Sequence, residues 1–316
     1  MQFLCDYLNE IVILSDGSIT TCCMDPIGLN RYADIGQDDF ETVLKKHKCV
    51  LESIVEDPLS MPRCRICFEK ISAAGFPETG TYKTDPSNKE IIAFINKKKR
   101  PRQLVIEMSS ICNLTCNGCM QSRADIPSTR KHPLIDFDAL STWILDTAEN
   151  IQYLRLYNYG ETFVHPRSFE FIEFIRKLAP DIKIEIATNG LLLDTREKRK
   201  RLIDANVHCI YFSIHGSDAQ SVEKYMTSVF DFEKMMGIIS DCSRLKIAYG
   251  KNTCLIWKYL LFEWNDTDDH IEQAKYLARK NGIDQLMFWL PGFPSPSKRF
   301  PEHSMNSVVD TIIFNH

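Results

Sequence analysis

Residues 103–119 of the 316-residue chain read QLVIEMSSICNLTCNGC. Residues 103–108 form an apolar run with the length and composition of a β-strand. Cys112, Cys116 and Cys119 follow it with the spacing C-x3-C-x2-C. A compact loop of this kind can hold three corners of a cubane iron–sulfur cluster, whereas electron-transfer cubanes take four thiolates. The spacing therefore predicts a cluster with one open iron, and an open metal position is where a reactant can bind.

A zinc knuckle is the main alternative for this loop, together with a chance grouping of buried thiols. A structural zinc site needs four ligands close together. The nearest histidine is His132, which lies well downstream of Cys119. The pattern therefore favours the redox cluster over zinc.

Composition limits the class of protein. A hydrophobic content of 44% over this length suits one barrel-sized domain with a small appendage. The formal net charge of −4 offers no basic surface for DNA, and the basic run at residues 97–100 reads as a solvated linker. There is no apolar stretch of about 18 residues and no basic-then-apolar N-terminus. We expect no membrane partner and a cytoplasmic location, with the 12 cysteines as thiolate ligands and free thiols.

From residue 103 onward the chain alternates apolar, strand-like runs with helical patterns. This alternation indicates repeated βα units and a parallel sheet, so the predicted fold class is α/β. Reactive groups gather in such sheets where strands end and loops begin. The predicted strands cover residues 103–108, 151–157, 182–187, 208–214, 253–264 and 285–290, and the predicted helices lie near residues 138–149, 168–178, 194–205, 218–243 and 268–281.

The cysteine loop after a first strand, followed by these βα units, resembles the radical S-adenosylmethionine (SAM) enzymes. The resemblance implies an open, partial (β/α)6 barrel and a 4Fe-4S cluster held by Cys112, Cys116 and Cys119. In that family the open iron chelates the amino and carboxylate groups of SAM. An electron from the reduced cluster splits SAM into methionine and a 5′-deoxyadenosyl radical, which takes a hydrogen atom from the substrate. The resemblance also implies a flavodoxin- or ferredoxin-type reductant as partner.

Three predicted strands end in motifs similar to those that bind SAM in this family. Gly160 and Glu161 resemble the Gly-Gly-Glu motif, reduced to one pair. A glycine allows close backbone approach, and a carboxylate can accept a charge-assisted hydrogen bond from the ammonium of SAM. Thr188 and Asn189 resemble the Thr-Asn-Gly motif, and Ser213 stands where relatives carry a serine that holds polar groups of SAM. Ordinary turn and capping residues are the alternative for each.

Two features depart from the family pattern. Many relatives carry a bulky residue before the last cysteine of the loop, which packs on the adenine of SAM, but here that residue is Gly118. Relatives often have an arginine after the helix that follows the fourth strand, but residues 225–229 read YMTSV. The adenine and the carboxylate of SAM are therefore expected to find other partners. His215 is a weak acid–base candidate, and strand register decides whether Lys258 faces the barrel.

A second group of cysteines precedes the barrel. Cys5 is followed after eleven residues by Gly17 and four residues later by Cys22, and Cys64 and Cys67 form a C-x2-C pair. This pattern resembles the twitch domain, a shortened SPASM domain of radical SAM enzymes, which implies that the four thiolates ligate an auxiliary 4Fe-4S cluster. Twitch domains usually follow the barrel, whereas this one precedes it. A structural zinc site built from the same cysteines is the alternative.

The predicted organisation has four parts. Residues 1–75 form the twitch-like auxiliary domain, residues 76–100 a linker, residues 101–300 the radical SAM partial barrel, and residues 301–316 a C-terminal tail. Among the remaining cysteines, Cys254 in the fifth strand is a weak catalytic candidate. A thiol that faces the cavity can return a hydrogen atom to a substrate radical.

The auxiliary site separates the functional hypotheses. A cluster fully ligated by protein can accept the electron left on a substrate radical, and twitch-bearing relatives include a dehydrogenase of an aminocyclitol alcohol. The resemblance therefore predicts dehydrogenation or epimerisation of a sugar- or cyclitol-like small molecule. Two alternatives stay open. One is the modification of a ribosomally made peptide, and the other is a non-catalytic iron–sulfur or zinc-binding module.

Overall fold

The computed structural model describes residues 3–5, 8, 10–73, 82–84, 86–98, 100–303 and 306–314. The N-terminal third of the described chain consists of short strands and three helices. These elements are β1 (Phe3–Cys5), β2 (Ile11–Ile13), β3 (Ser18–Thr20), β4 (Ala33–Asp34), α1 (Phe40–Glu56), α2 (Pro62–Ala73), β5 (Tyr82–Thr84) and α3 (Asn88–Lys98).

The predicted α/β fold with a parallel sheet is confirmed. Six strands run parallel in chain order, each hydrogen-bonded to the next, and helices connect them. Among the helices described, none combines the length and apolar composition needed to cross a lipid bilayer. The elements are β6 (Gln103–Ile106), α4 (Met120–Arg123), α5 (Phe137–Leu145), β7 (Tyr153–Leu156), α6 (Ser168–Leu178), β8 (Lys183–Thr188), α7 (Arg196–Asp204), β9 (Cys209–Ser213), α8 (Ala219–Met226), α9 (Phe232–Ala248), β10 (Cys254–Leu260), α10 (Asp268–Lys280), β11 (Gln285–Leu290) and β12 (Ser307–Ile313).

Two predicted elements differ from the structure by more than a few residues at an end or in number. The helix predicted over residues 218–243 is divided into α8 and α9, because Thr227 ends α8 with a φ of 69°, which no helix can continue. The strand predicted over residues 253–264 ends at Leu260, where β10 gives way to a turn.

The N-terminal hairpin extends the parallel sheet. Val12 of β2 pairs with Thr20 of β3, and Ile13 of β2 pairs in parallel with Ile106 of β6. The strand order of the ten-stranded sheet is β12-β11-β10-β9-β8-β7-β6-β2-β3-β4. The hairpin thereby supplies hydrogen-bond partners to the edge of β6, which would otherwise be bare. The division at residue 75 stays a prediction.

The predicted linker and tail both contain regular structure. Residues 76–100 include α3, whose Phe94 packs with Leu51 and Ile54 of α1 because its apolar residues recur at helical spacing. Residues 301–316 include β12, which pairs antiparallel with β11 and covers that edge of the sheet. Parts of both predictions lie outside the described residues, namely residues 76–81, 85, 99, 304, 305, 315 and 316.

The two faces of the parallel sheet differ in chemistry because successive side chains of a strand point to opposite faces. One face is apolar and buried under the helices, and Ile184, Phe212 and Trp257 belong to the main core there. The other face, called the inner face below, carries polar side chains together with some apolar ones. Its polar members include Arg155, Glu185, Tyr211, Ser213 and Lys258, which neighbouring strands hold in register or two residues apart.

Candidate active site

The cysteine loop is fastened at both ends. Ser110 donates its backbone N–H to the carbonyl of Pro133, and Asn117 donates its own to the carbonyl of Tyr225 in α8 at 2.7 Å. Inside the loop, Cys112 Sγ accepts the backbone N–H of Leu114 at 3.4 Å. These bonds hold the loop between the ends of β6 and α8, where its thiols face the carboxyl ends of the strands.

The three thiols of the loop lie close enough to interact electrostatically. Burial raises the pKa of Cys112 to about 11 and that of Cys116 to about 12, and Cys119 contributes to both shifts. Among the described residues, no three His, Cys, Asp or Glu side chains converge as a single metal ion requires. A cubane binds each thiolate to a different iron, so its ligand sulfurs are spread around the cube. Binding of iron would deprotonate these thiols.

The thiols open into a cavity of about 210 Å³, called the cysteine cavity below. The residues around it come from the ends of β7, β8 and β9 and from α8. Every sequence-predicted SAM residue lies on its wall. The lining residues include Cys112, Cys116, Cys119, Tyr157, Tyr159, Gly160, Glu161, Thr188, Asn189, Ser213, His215 and Tyr225.

Glu161 joins two strand ends beneath this cavity. Its buried carboxylate accepts hydrogen bonds from the hydroxyl of Thr188 at 2.8 Å and from the backbone N–H groups of Asn189 and Phe163 at 2.9 and 3.2 Å. Burial raises the pKa of Glu161 in spite of these bonds, which act to lower it. Since a carboxylate has about four acceptor positions, one position remains for a ligand.

Gly160 packs directly against the cysteine loop. A Cβ at this position would lie 2.7 Å from the carbonyl carbon of Ser109 and 2.8 Å from the carbonyl oxygen of Ile111. The backbone N–H of Glu161 donates to the same Ile111 carbonyl at 3.0 Å. The close approach that requires glycine is therefore to the loop, whereas the sequence suggested approach to the ligand.

Asn189 and Ser213 differ in whether their side chains already have hydrogen-bond partners in the protein. The Asn189 amide donates to Asn113 Oδ1 at 2.8 Å, next to Cys112 in the loop. The Ser213 hydroxyl, at the end of β9, has no hydrogen-bond partner in the described part of the chain and faces the cysteine cavity. Asn189 thus braces the loop, and Ser213 is available to a ligand.

His215 is neutral and has a defined tautomer. Burial lowers the pKa of His215 to about 3, and the charge of Lys258 adds to the effect. Its Nδ1 accepts the backbone N–H of Leu260 at 3.3 Å, which leaves the ring proton on Nε2. His215 is therefore a neutral side chain on the wall of the cavity rather than an acid–base group near neutral pH.

Phe293 is a residue that sequence reasoning missed. It lies in the loop after β11, and its ring stands 2.5 Å from the place where a Cβ of Gly118 would be. Gly118 has a φ of 81°, and the guanidinium of Arg123 stacks on the Phe293 ring at 3.8 Å. An aromatic ring from a loop distant in sequence thus occupies the space that a side chain at position 118 would need. The only signal in the sequence was the unexpected Gly118.

The four cysteines of the predicted auxiliary site also come together. The Cys22 thiol is buried, and its pKa is raised by burial and by the nearby Cys23, Cys5 and Cys64 thiols. Burial raises the pKa of Cys64 to about 11, with a contribution from Cys67. We call Cys5, Cys22, Cys64 and Cys67 the N-terminal cysteine group.

The segment after Cys22 contacts the wall of the cysteine cavity. The hydroxyl of Tyr159, which lines that cavity, donates to the carbonyl of Cys23 at 2.9 Å. Arg130 forms a fully buried ion pair with Glu107 at 2.7 Å and donates to the carbonyl of Pro26 at 2.9 Å. These bonds dock the N-terminal cysteine group beside the cysteine cavity.

Cys254 lies away from this site. It begins β10 and pairs with Cys209 at the start of β9, and a hydrogen bond joins the two thiols. Lys258 lies four positions further along β10, which is about 13 Å along a strand. Since the cavity lies at the carboxyl ends of the strands, the structure does not bring Cys254 to the cavity wall.

Comparisons with known proteins agree with this arrangement. The family model described as the radical SAM superfamily matches residues 106–294. The chain is 33% identical over 116 residues to the tungsten-containing aldehyde ferredoxin oxidoreductase cofactor-modifying protein of Pyrococcus furiosus, covering 36% of this chain and 30% of that protein. It is 27% identical over 189 residues to GTP 3′,8-cyclase of Alkaliphilus oremlandii, covering 59% of this chain and 55% of the cyclase. The chain thus spans about half, or less, of the length of these relatives.

Among solved structures, the chain is similar to the radical S-adenosylmethionine methyltransferase TsrM from Kitasatospora setae. The identity is 12%, the TM-score is 0.46, and the match covers 62% of this chain and 37% of that chain. No conclusion about function follows from a likeness of this degree. The family match is different, because it extends over well over half of the chain, from the cysteine loop to the end of β11 and into the Phe293 loop. The chain therefore belongs to the radical SAM superfamily.

Proposed function

We propose that this radical SAM enzyme dehydrogenates or epimerises a sugar- or cyclitol-like small molecule, with an auxiliary 4Fe-4S cluster as electron acceptor. The observation that carries the proposal is the N-terminal cysteine group, which lies beside the cysteine cavity through the bond between Tyr159 and Cys23. A second cluster held there by four thiolates would have no open iron. It would serve electron transfer and not substrate chemistry.

The residues around the cysteine cavity fit the family's cofactors. Cys112, Cys116 and Cys119 would hold the first cluster, and a thiol set of three leaves one iron for SAM. When bound, the cluster and SAM supply a 5′-deoxyadenosyl radical. The free acceptor position of Glu161 and the unused hydroxyl of Ser213 are suited to polar groups of SAM.

Phe293 is suited to the adenine of SAM. Its ring is 44% exposed and lies against Gly118, directly before the last cysteine of the loop. Aromatic rings bind bases by stacking, which contributes about 1–3 kcal/mol per base. The guanidinium of Arg123 stacks on one face of the ring and thereby restrains its orientation.

Net oxidation of an alcohol requires two electrons and two protons to leave the substrate. One hydrogen atom leaves from carbon, and the resulting carbon radical then loses the hydroxyl proton and one electron as the carbonyl forms. The electron needs a nearby acceptor, and Cys5, Cys22, Cys64 and Cys67 would hold one. Epimerisation instead returns a hydrogen atom from 5′-deoxyadenosine to the substrate carbon, which restores the 5′-deoxyadenosyl radical and needs no electron acceptor. A flavodoxin- or ferredoxin-type protein is the proposed external reductant.

Anaerobic reconstitution tests this proposal. The wild type should bind about eight iron atoms per chain, and the double variant C64S/C67S about four. That variant should still release 5′-deoxyadenosine from SAM but should no longer oxidise a substrate drawn from a panel of sugars and cyclitols. Zinc in the N-terminal cysteine group, or oxidation that is unchanged in C64S/C67S, would contradict the proposal.

A nucleotide is the second candidate substrate, because relatives of this chain are named GTP 3′,8-cyclase. Modification of a ribosomally made peptide is a third candidate. The same assay separates them. GTP consumption, or a mass change in a short peptide, would replace the sugar or cyclitol proposal while leaving the radical chemistry in place.

A further inference from the structure

Lys258 occupies a defined place on the inner face of the sheet. It pairs in register with Ser213 of β9 on one side and with Met287 of β11 on the other. Residues in register on parallel strands point to the same face, so Lys258 faces the same side as the cavity-lining Ser213. Its ammonium stands 4.1 Å from the centre of the Trp289 ring. The side chain therefore reaches the region next to the cysteine cavity.

The positive charge of Lys258 lacks the acidic partners that the neighbouring Arg155 has. Arg155, on the same face, forms ion pairs with Glu10 and with Glu185. Within the part of the chain that the structure describes, Lys258 forms no ion pair. Burial lowers the pKa of Lys258 to about 8, as expected of an ammonium removed from water without a carboxylate partner. Such a group is unfavourable unless something else compensates for it.

Two interactions can offset the cost of burying the Lys258 ammonium. One is stacking on Trp289, and the other is a bound anion. A methionine would fill a similar volume and would contact the ring without carrying a charge. A structural role in the inner face thus gives no reason for a lysine. An anion does, because Lys258 lies next to His215, which lines the cysteine cavity, and on the same face as Ser213 of that cavity.

We propose that Lys258 binds an anionic group of the substrate, either a carboxylate or a phosphate, beside the SAM position. This inference rests on the proposed function, which places SAM in the cysteine cavity and the substrate next to it. It narrows the substrate class from sugars and cyclitols in general to acidic or phosphorylated ones.

Anion binding to the reconstituted protein tests the proposal, with inorganic phosphate and acetate as probes. The melting temperature is measured against probe concentration at constant ionic strength, which yields an apparent dissociation constant. For K258M we expect the saturable part of the phosphate or acetate effect to weaken about tenfold or more, since a hydrogen bond to a charged group is lost. K258R should stay close to the wild type. Saturation by phosphate alone indicates a phosphorylated substrate, and saturation by acetate alone an acidic one.

Lys183→Met is the matched control. Lys183 also stacks on an aromatic ring, that of Tyr153, but it is exposed at the opposite end of the sheet. Its replacement should leave the anion effect unchanged and should reveal any general stabilisation by salt. In the absence of anions, K258M should be at least as stable as the wild type.

Three results would overturn the inference. They are an equal anion effect in K258M and wild type, a loss of stability in K258M that K258R restores, and a loss of SAM binding in K258M with phosphate binding unchanged. Release of 5′-deoxyadenosine by the wild type is measured separately. If the wild type releases it while the anion test fails, the inference alone is wrong. If the wild type releases none, the proposed function fails regardless of Lys258.

Discussion

The ring of Phe293 fills the space that a side chain at Gly118 would need. Its Cδ1 and Cε1 atoms lie 2.5 and 2.8 Å from the ideal Cβ position of Gly118. Residue 118 belongs to the cysteine loop and residue 293 to the loop after the last parallel strand, so the contact joins the first and last parts of the region matched by the family model, residues 106–294. Because of this contact, we propose that Phe293 packs on the adenine of SAM.

Replacement of Phe293 should weaken SAM binding. For F293A we expect an apparent dissociation constant for SAM about tenfold higher than in the wild type, because a base loses its stacking surface. Iron content should stay the same. Equilibrium binding of SAM to reconstituted protein measures the effect. Y276A is the control, since Tyr276 is an exposed aromatic residue of α10, far from the loop in sequence. Equal SAM affinity in F293A and wild type would remove Phe293 from the site.

Gly160→Ala should disturb the cysteine loop. The added Cβ would meet the backbone of Ser109 and Ile111, which cannot move aside as a flexible side chain can. We expect a loss of about 2 kcal/mol in the free energy of unfolding and reduced iron loading. Gly237→Ala is the control. Gly237 lies in α9 with nothing within 4 Å of its Cβ position, so alanine there should stabilise by about 1 kcal/mol. Normal iron loading in G160A would show that the loop tolerates the shift.

Glu161→Gln should destabilise the fold through hydrogen bonding. The carboxylate accepts from Thr188, Asn189 and Phe163, and an amide NH2 would face at least one of these donors. We expect a loss of about 1–3 kcal/mol, measured by denaturant unfolding. Glu170→Gln is a control at an exposed ion pair, where we expect a much smaller change because solvent screens the pair. If both variants lose the same free energy of unfolding, the three hydrogen bonds to Glu161 contribute little to stability.

Stability should depend on pH through His47. This residue is buried in α1, its Nδ1 bonds to the Tyr32 hydroxyl at 3.0 Å, and burial lowers its pKa from 6.5 to about 4. Between these values the unfolded chain binds the proton and the folded chain does not, so stability rises with pH. The free energy of unfolding should fall by about 3 kcal/mol from pH 7 to pH 4 on account of this group. H47Q should flatten that slope in denaturant titrations. An identical slope in both proteins would assign the pH dependence to other groups.

The local patterns of the sequence predicted the part of the fold that repeats. The six parallel strands and most of their helices follow from apolar runs separated by helical periodicity, and the strand ends brought Gly160, Glu161, Thr188, Asn189 and Ser213 to one cavity. This works because parallel strands in register place their carboxyl ends at one edge.

Non-local relationships could not be predicted in this way. The pairing of β2 with β6 and of β12 with β11 depends on which edges remain bare after the barrel strands have paired, and periodicity carries no such information. Phe293 was missed for the same reason. The unusual Gly118 indicated that a contact was needed but not which residue supplies it. The sequence placed Cys254 early in its strand, as the structure does, but could not show that the cavity lies at the opposite, carboxyl end of that strand.

The most direct test of the account is the release of 5′-deoxyadenosine from SAM by anaerobically reconstituted and chemically reduced protein. The wild type should release it, because Cys112, Cys116 and Cys119 line a common cavity with the residues predicted to bind SAM. C116S should release none, while the exposed C49S should match the wild type. Full iron loading without any 5′-deoxyadenosine, or equal release by C116S, would contradict the central claim.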